Sequence, residues 1–335
     1  MSLTTILIAL SAVVVSTGLL LLVVALVWWI DRYDREPIHL VAAVFLWGAS
    51  VSPTVSLIAV AAIDRFVQGS IPAESLGLIG ISFFSPFVEE TIKAVGVLFV
   101  VLLTDKFDNP TDGVVYGTAV GLGFAVTENF FFTLGAIAEP SGTGAILILV
   151  GGRTLLSAGV HAVSSAAFGG LLGYAMLSPK RAARLGWLFA GLMLAFSLHS
   201  AWNMALLFVG PFSPDGTLRG WLGVLPSLYV VYVFILTAFL HSEHRILKRE
   251  LVEEVELRLA PAWVADVIPY YRRRVRGNWW PSRTERTVIA RLLTRVAFRK
   301  HSLRCLPQDE ANIASLELVK LRQRVREILG PPNSS

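Results

Sequence analysis

The chain is poor in charge and in cysteine. Of its 335 residues only 16% are charged, and one is a cysteine, Cys305. An ordinary soluble domain carries about 25% charged residues. With 54% hydrophobic residues and a mean hydropathy of +0.64, the chain reads as an integral membrane protein. A single cysteine excludes an intramolecular disulfide and a cysteine-based metal cluster. Cys305 therefore reads as an unpaired thiol. H-E-x-x-H is missing, and with it the ordinary zinc-protease signal. The opening stretch "LTTILIALSAVVVSTGLLLLVVALVWWI" lacks a basic n-region and a small-residue cleavage site. It reads as a first membrane span that is retained, not as a signal peptide.

What the chain has is apolar runs. Seven are long enough to cross a bilayer: 3–30, 38–63, 76–104, 113–136, 146–177, 185–209 and 221–241. The expectation is an all-α fold, a polytopic transmembrane bundle of about seven spans. Charge is unevenly placed. Residues 242–335 hold 19 Lys/Arg against 11 Asp/Glu, whereas residues 1–241 hold 10 against 13. Two regions follow: a membrane domain over 1–241 and a basic, small helical cytosolic region over 242–335.

Loop charge orients the spans. Arg32, Arg35, Lys106, Lys180, Arg181 and Arg184 fall in alternate loops, on the side of the basic tail; the other loops carry Arg65 and Arg219. Positive residues stay inside, so the N-terminus is expected outside and the C-terminus in the cytosol. Trp28, Trp29, Trp187 and Trp221 mark span ends, where indoles favour the interface. The tail segment "YYRRRVRGNWW" mixes Arg with aromatics. Beside a membrane body its expected partner is the anionic leaflet of the lipid bilayer, not nucleic acid.

Four spans carry polar residues deep in apolar sequence: Glu89, Glu90 and Lys93; Glu128 and Asn129; His161, Ser164 and Ser165; His199 and Asn203. A charge at the bilayer centre costs roughly 2.5–3.5 kcal/mol on insertion scales. Glu89 and Lys93, His161 and Ser165, and His199 and Asn203 are i,i+4 pairs, each on one helix face. Lipid would reject those faces, so they should turn toward one another. The helical rise puts Glu89 roughly 20 Å from the outer end of its run, and puts Glu128, His161 and His199 at depths from the midplane to the outer third. One shared layer favours one buried site.

Such a site holds the parts for activating water. A desolvated carboxylate, Glu89 or Glu90, can act as a general base. Glu128 and His161 complete the base or ligand set, and His199 with Asn203 suit an oxyanion. Alternatively a metal with an open position could be held, with Glu90, Glu128, His161 and His199 as candidate ligands and Zn2+ as the candidate ion. Each group alone also fits a structural role: an ion pair of Glu89 or Glu90 with Lys93, a helix–helix hydrogen bond from His161 or His199. Lys93 and Arg153 read as orienting or neutralising groups. Gly117, Gly121 and Gly123 read as packing residues that let helices approach closely.

The segments "DRYDREP", "EETIK", "DGVVYGTAVGLGFAVTEN", "GRTLLSAGVHA" and "HSAWN" together resemble the PrsW family of intramembrane proteases, related to the type II CAAX prenyl endopeptidases. The resemblance runs from about residue 31 to 205 and does not cover 242–335. It implies peptide-bond hydrolysis in or at the edge of a bacterial cytoplasmic membrane. The substrate would be a membrane-spanning or membrane-tethered protein, with site-1 cleavage of an anti-sigma factor as the family's example. By motif, Glu89 and Glu90 match the paired glutamates, Glu128 the second motif, His161 and His199 the histidines, and Asn203 the final asparagine. Where the CAAX relatives have F-x-x-x-H, this chain has Phe124-x-x-x-Glu128. The resemblance leaves metal-dependent and metal-free chemistry both open. Rival readings are a proton-coupled transporter or channel, since buried Glu/His chains also mark proton paths, and a non-catalytic membrane scaffold.

Overall fold

The structure is a computed structural model that describes residues 2–31, 33, 35–104, 107, 109–138, 142–178, 180–209, 214–305 and 308–330. Arg32 and Lys106, and the side chains of Arg219 and Trp221, lie outside the described residues. Every regular element among the described residues is a helix. Seven long helices form the membrane body: α1 Leu3–Ile30, α2 Ile38–Val67, α3 over 73–103, α4 Pro110–Ala138, α5 Thr143–Met176, α6 Arg181–Val209 and α7 Pro214–Glu256. Four shorter ones follow: α8 Trp263–Val267, α9 Tyr271–Arg276, α10 Arg283–Cys305 and α11 Gln308–Leu329.

Six of the first seven are apolar enough over an 18-residue window to cross a membrane. The exception is α3, whose apolarity is diluted by Glu89, Glu90 and Lys93. Its path nonetheless runs the length of the bundle. Near its start, Ile81 O accepts a 2.9 Å hydrogen bond from Asn203 at the far end of α6. Beyond its end, the chain reaches Pro110, which packs on Gly173 near the close of α5. The ends sort onto two sides. Thr5 meets Thr143 at 3.2 Å, joining the starts of α1 and α5. On the other side Tyr33, after α1, donates to Pro269 O in the tail at 3.1 Å. The outward faces are apolar: Leu7, Val14, Leu22, Leu57, Leu102 and Phe189 are all exposed, as expected of side chains that meet lipid.

Three helices contain a π turn: Trp47–Val51 in α2, Gly80–Phe84 in α3 and Arg153–Ser157 in α5. Two have a visible cause. Pro53 and Pro86 follow directly, and each lacks an N–H and crowds the carbonyl four residues back. The ladder relaxes by widening one turn. The turns in α3 and α5 immediately precede the segments bearing Glu89 and His161.

The central helix is α4, buried along its whole first half from Pro110 to Ala125. Glycine makes this closeness physically available. A Cβ on Gly117 would lie 2.2 Å from Ser165 O, and one on Gly121 2.3 Å from His161 O. On its other side, a Cβ on Gly123 would lie 2.1 Å from Phe45 O. Backbone thus rests on backbone, and α5 is held with His161 and Ser165 facing α4.

The last membrane helix, α7, continues unbroken into the tail. Apolar packing with the bundle runs to Leu240, and a second core begins at Ile246. Leu247, Leu251, Val264, Ile268, Leu293, Val296 and Val325 fill that second core, with Tyr33 reaching in from the loop after α1.

Candidate active site

The polar layer expected from the sequence is assembled from α3, α4, α5 and α6. Glu89, Glu90, Lys93, His161 and His199 are all buried. Lys93 is at the centre. Its Nζ lies 2.7 Å from Glu90 Oε1, 3.0 Å from His161 Nδ1 and 4.2 Å from the centre of the Phe124 ring. His199 Nδ1 lies 2.8 Å from the same Glu90 oxygen, and Ser165 Oγ donates to Glu90 Oε2 at 3.2 Å. Glu90 is thereby sealed by three partners on three helices.

Glu89 is held differently. Neighbouring residues on a helix point about 100° apart, so it turns to the other side. Ser85, one turn earlier, donates to Glu89 Oε1 at 2.5 Å. Glu89 Oε2 is buried without a hydrogen bond among the described residues, 3.8 Å from His199 Nε2. A carboxylate oxygen left so costs free energy unless something binds it. Glu89 lines a cavity of about 500 Å³, whose walls also include Glu128, His161, His199, Asn203 and Trp202. Glu90 is not among the wall residues.

Across the cavity, Glu128 Oε2 lies 2.7 Å from His161 Nε2 and 2.7 Å from an Arg153 Nη atom. Arg153 sits on the π turn of α5 and also donates to Asn129 Oδ1 at 3.2 Å. Asn129 donates to Ser16 of α1, and Ser16 and Thr154 share a hydrogen bond of 2.6 Å. Asn203 gives one amide N–H to Ile81 O. So all six residues selected from the sequence meet around one centre, five on the cavity wall and Glu90 behind it. Asn129 was named only as a polar neighbour of Glu128, and Ser85 and the Ser16–Thr154 pair were not selected. Of these last, only Ser85 left a signal, its i,i+4 spacing from Glu89.

The donor set was tested against a metal ion. Ligand atoms of Glu89, His161 and His199 all lie within 4.8 Å of one another. Two imidazoles and one carboxylate form a set that binds zinc with a position open. His199 is oriented for this task, because its Nδ1–H donates to Glu90 and leaves Nε2 facing Glu89. His161 Nε2 donates to Glu128 and would have to release that proton to ligate an ion. The residues fit, with Glu89 in the trio where the sequence had offered Glu90 and Glu128.

The model of the PrsW family of intramembrane metalloproteases matches residues 36–240. The chain belongs to this family. It is a peptidase and a multi-pass membrane protein. Protease PrsW of Bacillus subtilis is 32% identical over 181 residues, covering 52% of this chain and 73% of that protein. Protease PrsW of Geobacillus kaustophilus is 30% identical, covering 53% and 71%, and that of Clostridioides difficile 26%, covering 54% and 74%. No solved structure matches the chain. The family match includes every cavity residue named above and stops at Leu240, before the second core.

Proposed function

We propose that this PrsW-family peptidase cuts membrane-spanning or membrane-tethered proteins at the cavity between α3, α4, α5 and α6, using water activated at Glu89. The observation that carries the reading is the buried Oε2 of Glu89, a residue of that cavity's wall, which lies beside His199 without a hydrogen bond among the described residues. Ser85 fixes the carboxylate through Oε1, so Oε2 is left to hold the attacking water or accept its proton. Glu90 holds the Nδ1 proton of His199 and keeps Nε2 toward the reacting atoms. Arg153 and the remaining N–H of Asn203 lie on the cavity wall as donors for a developing oxyanion. Lys93 donates to His161 Nδ1, which leaves the His161 Nε2 proton directed at Glu128. Glu128 thereby holds His161 in place, and the proton that Glu89 takes from the attacking water is the one that passes to the leaving amine.

A divalent cation such as Zn2+ would be held by Glu89, His161 and His199, with Glu89 then serving as ligand in place of base; when bound it would lower the pKa of its water and polarise the scissile carbonyl. No acyl-enzyme is expected. Among the described residues Ser164 Oγ has no hydrogen-bond partner that could activate it, and Ser165 Oγ is turned to Glu90. The finer proposals are a bacterial cytoplasmic membrane, an outward N-terminus, a cytosolic tail, and a site-1-type cut in an anti-sigma factor. The orientation rests on the basic loops lying on the tail side.

The test is cleavage by purified protein in vesicles of a panel of single-span substrates, with chelator and with zinc added back. The reading expects cleavage in the wild type, loss with chelator and recovery with zinc. Proton flux across the vesicle membrane without cleavage of any substrate would favour the transporter reading instead.

A further inference from the structure

A second polar groove, of about 650 Å³, lies where the tail meets the end of α1. One wall is Trp29, in the last turn of α1 and exposed, together with Tyr33. The facing wall is Tyr270 and the α9 arginines Arg272, Arg273 and Arg276. None of the described lining residues is acidic. Arg272 and Arg276 are exposed, stand one turn apart on the same face, and make no ion pair or hydrogen bond among the described residues. Arg273 lies 4.7 Å over the Tyr270 ring and donates to Asp266 O. Their neighbour Arg274 is turned the other way, donating to Tyr33 O at 2.9 Å and so fixing α9 against the membrane body.

Three guanidinium groups on one short helix repel one another unless an anion joins them. The groove also has a membrane address, because Trp29 ends a lipid-facing helix at the depth where indoles gather. An aromatic wall at headgroup depth opposite guanidinium groups matches a phospholipid phosphate, which Arg binds in a forked geometry. We propose that this groove binds the headgroup of an anionic phospholipid, which bridges α1 to α9 and locks the tail onto the membrane body. The proposal is independent of the peptidase cavity.

The test uses full-length protein in detergent and native mass spectrometry, titrating phosphatidylglycerol or phosphatidylcholine. The wild type should bind phosphatidylglycerol in preference. Arg272→Gln, Arg273→Gln and Arg276→Gln should each weaken it roughly fivefold, and all three together about a hundredfold, from the usual worth of a basic residue at an anionic surface. A control with equal charge loss, Lys320→Gln with Arg324→Gln and Arg326→Gln on the exposed face of α11, should bind as the wild type does. Unchanged lipid binding in the α9 triple variant would overturn the proposal, as would an equal fall in the control. Displacement of the lipid by millimolar inorganic phosphate would reassign the groove to a soluble anion and also overturn it. Equal melting of the variants and the wild type confirms that binding, not folding, is being read.

Discussion

The protein buries charge in several places, and two of them differ in what is left over. In the tail, Glu250 and Glu254 are buried, and cations surround them. Arg249 lies 2.7 Å and Arg304 3.1 Å from Glu250; Arg322 lies 2.5 Å and Lys300 3.0 Å from Glu254. In the membrane, Lys93 and Arg153 match Glu90 and Glu128 in the same way, but Glu89, on a cavity wall, keeps one oxygen without a hydrogen bond among the described residues. Buried charge alone therefore does not mark a reaction centre. A buried charge with an open coordination position and room beside it does.

That contrast can be broken from both sides. The largest effect on folding belongs to the tail. Glu250→Gln leaves Arg304 and Lys300 facing a neutral group, and should destabilise by about 3–5 kcal/mol. Thermal unfolding of the purified variant should fall, with the rate per folded molecule unchanged; a lost rate in a fully folded variant would put the tail network into the chemistry. Next, His199→Ala removes the Nε2 that faces Glu89 and should slow cleavage by about 10²–10⁴-fold, the usual worth of a positioned acid–base side chain. It should also lower bound zinc in elemental analysis, while the melting curve stays near the wild type.

Gly121→Leu tests how the cavity is held. A Cβ there would meet the His161 carbonyl, so α5 must move. Overpacking of this kind costs about 1–3 kcal/mol, and both stability and turnover should drop. Ser165→Ala removes one hydrogen bond to Glu90, worth about 0.5–1.5 kcal/mol, and turnover should fall by less than about tenfold. Ser164→Ala should change nothing measurable, and covalent capture of Ser164 by a serine-directed inhibitor would refute the absence of an acyl-enzyme. For orientation, in a Cys305→Ser background, Ser70→Cys should react with an impermeant maleimide on intact cells and Leu316→Cys should not.

The sequence carries the polar layer plainly, because hydrocarbon tolerates such residues only where they meet one another. Glu128, His161 and His199 sit on helices of alternating direction, and depth counted along each helix was enough to group them. The glycines of α4 were legible as packing residues for the same reason. Glu89 and Glu90 were not separable. They are adjacent, identical in chemistry, and distinguished only by a rotation that sends one to the cavity and the other to Lys93. The π turn of α5 was hidden as well, since no proline marks it, and it sets the direction of Arg153. The third run showed the limit of counting apolar residues. Its buried charges lower its hydropathy while its contacts carry it across the bundle.

The most direct test is the rate of Glu89→Gln, measured on a single-span substrate in vesicles beside Glu250→Gln. Glutamine keeps the shape of Glu89 and removes its basicity and its strength as a ligand. The account predicts a loss of about 10²–10⁴ in turnover for Glu89→Gln, with an unchanged melting temperature, and the reverse pattern for Glu250→Gln. Wild-type turnover in a folded Glu89→Gln variant would contradict it.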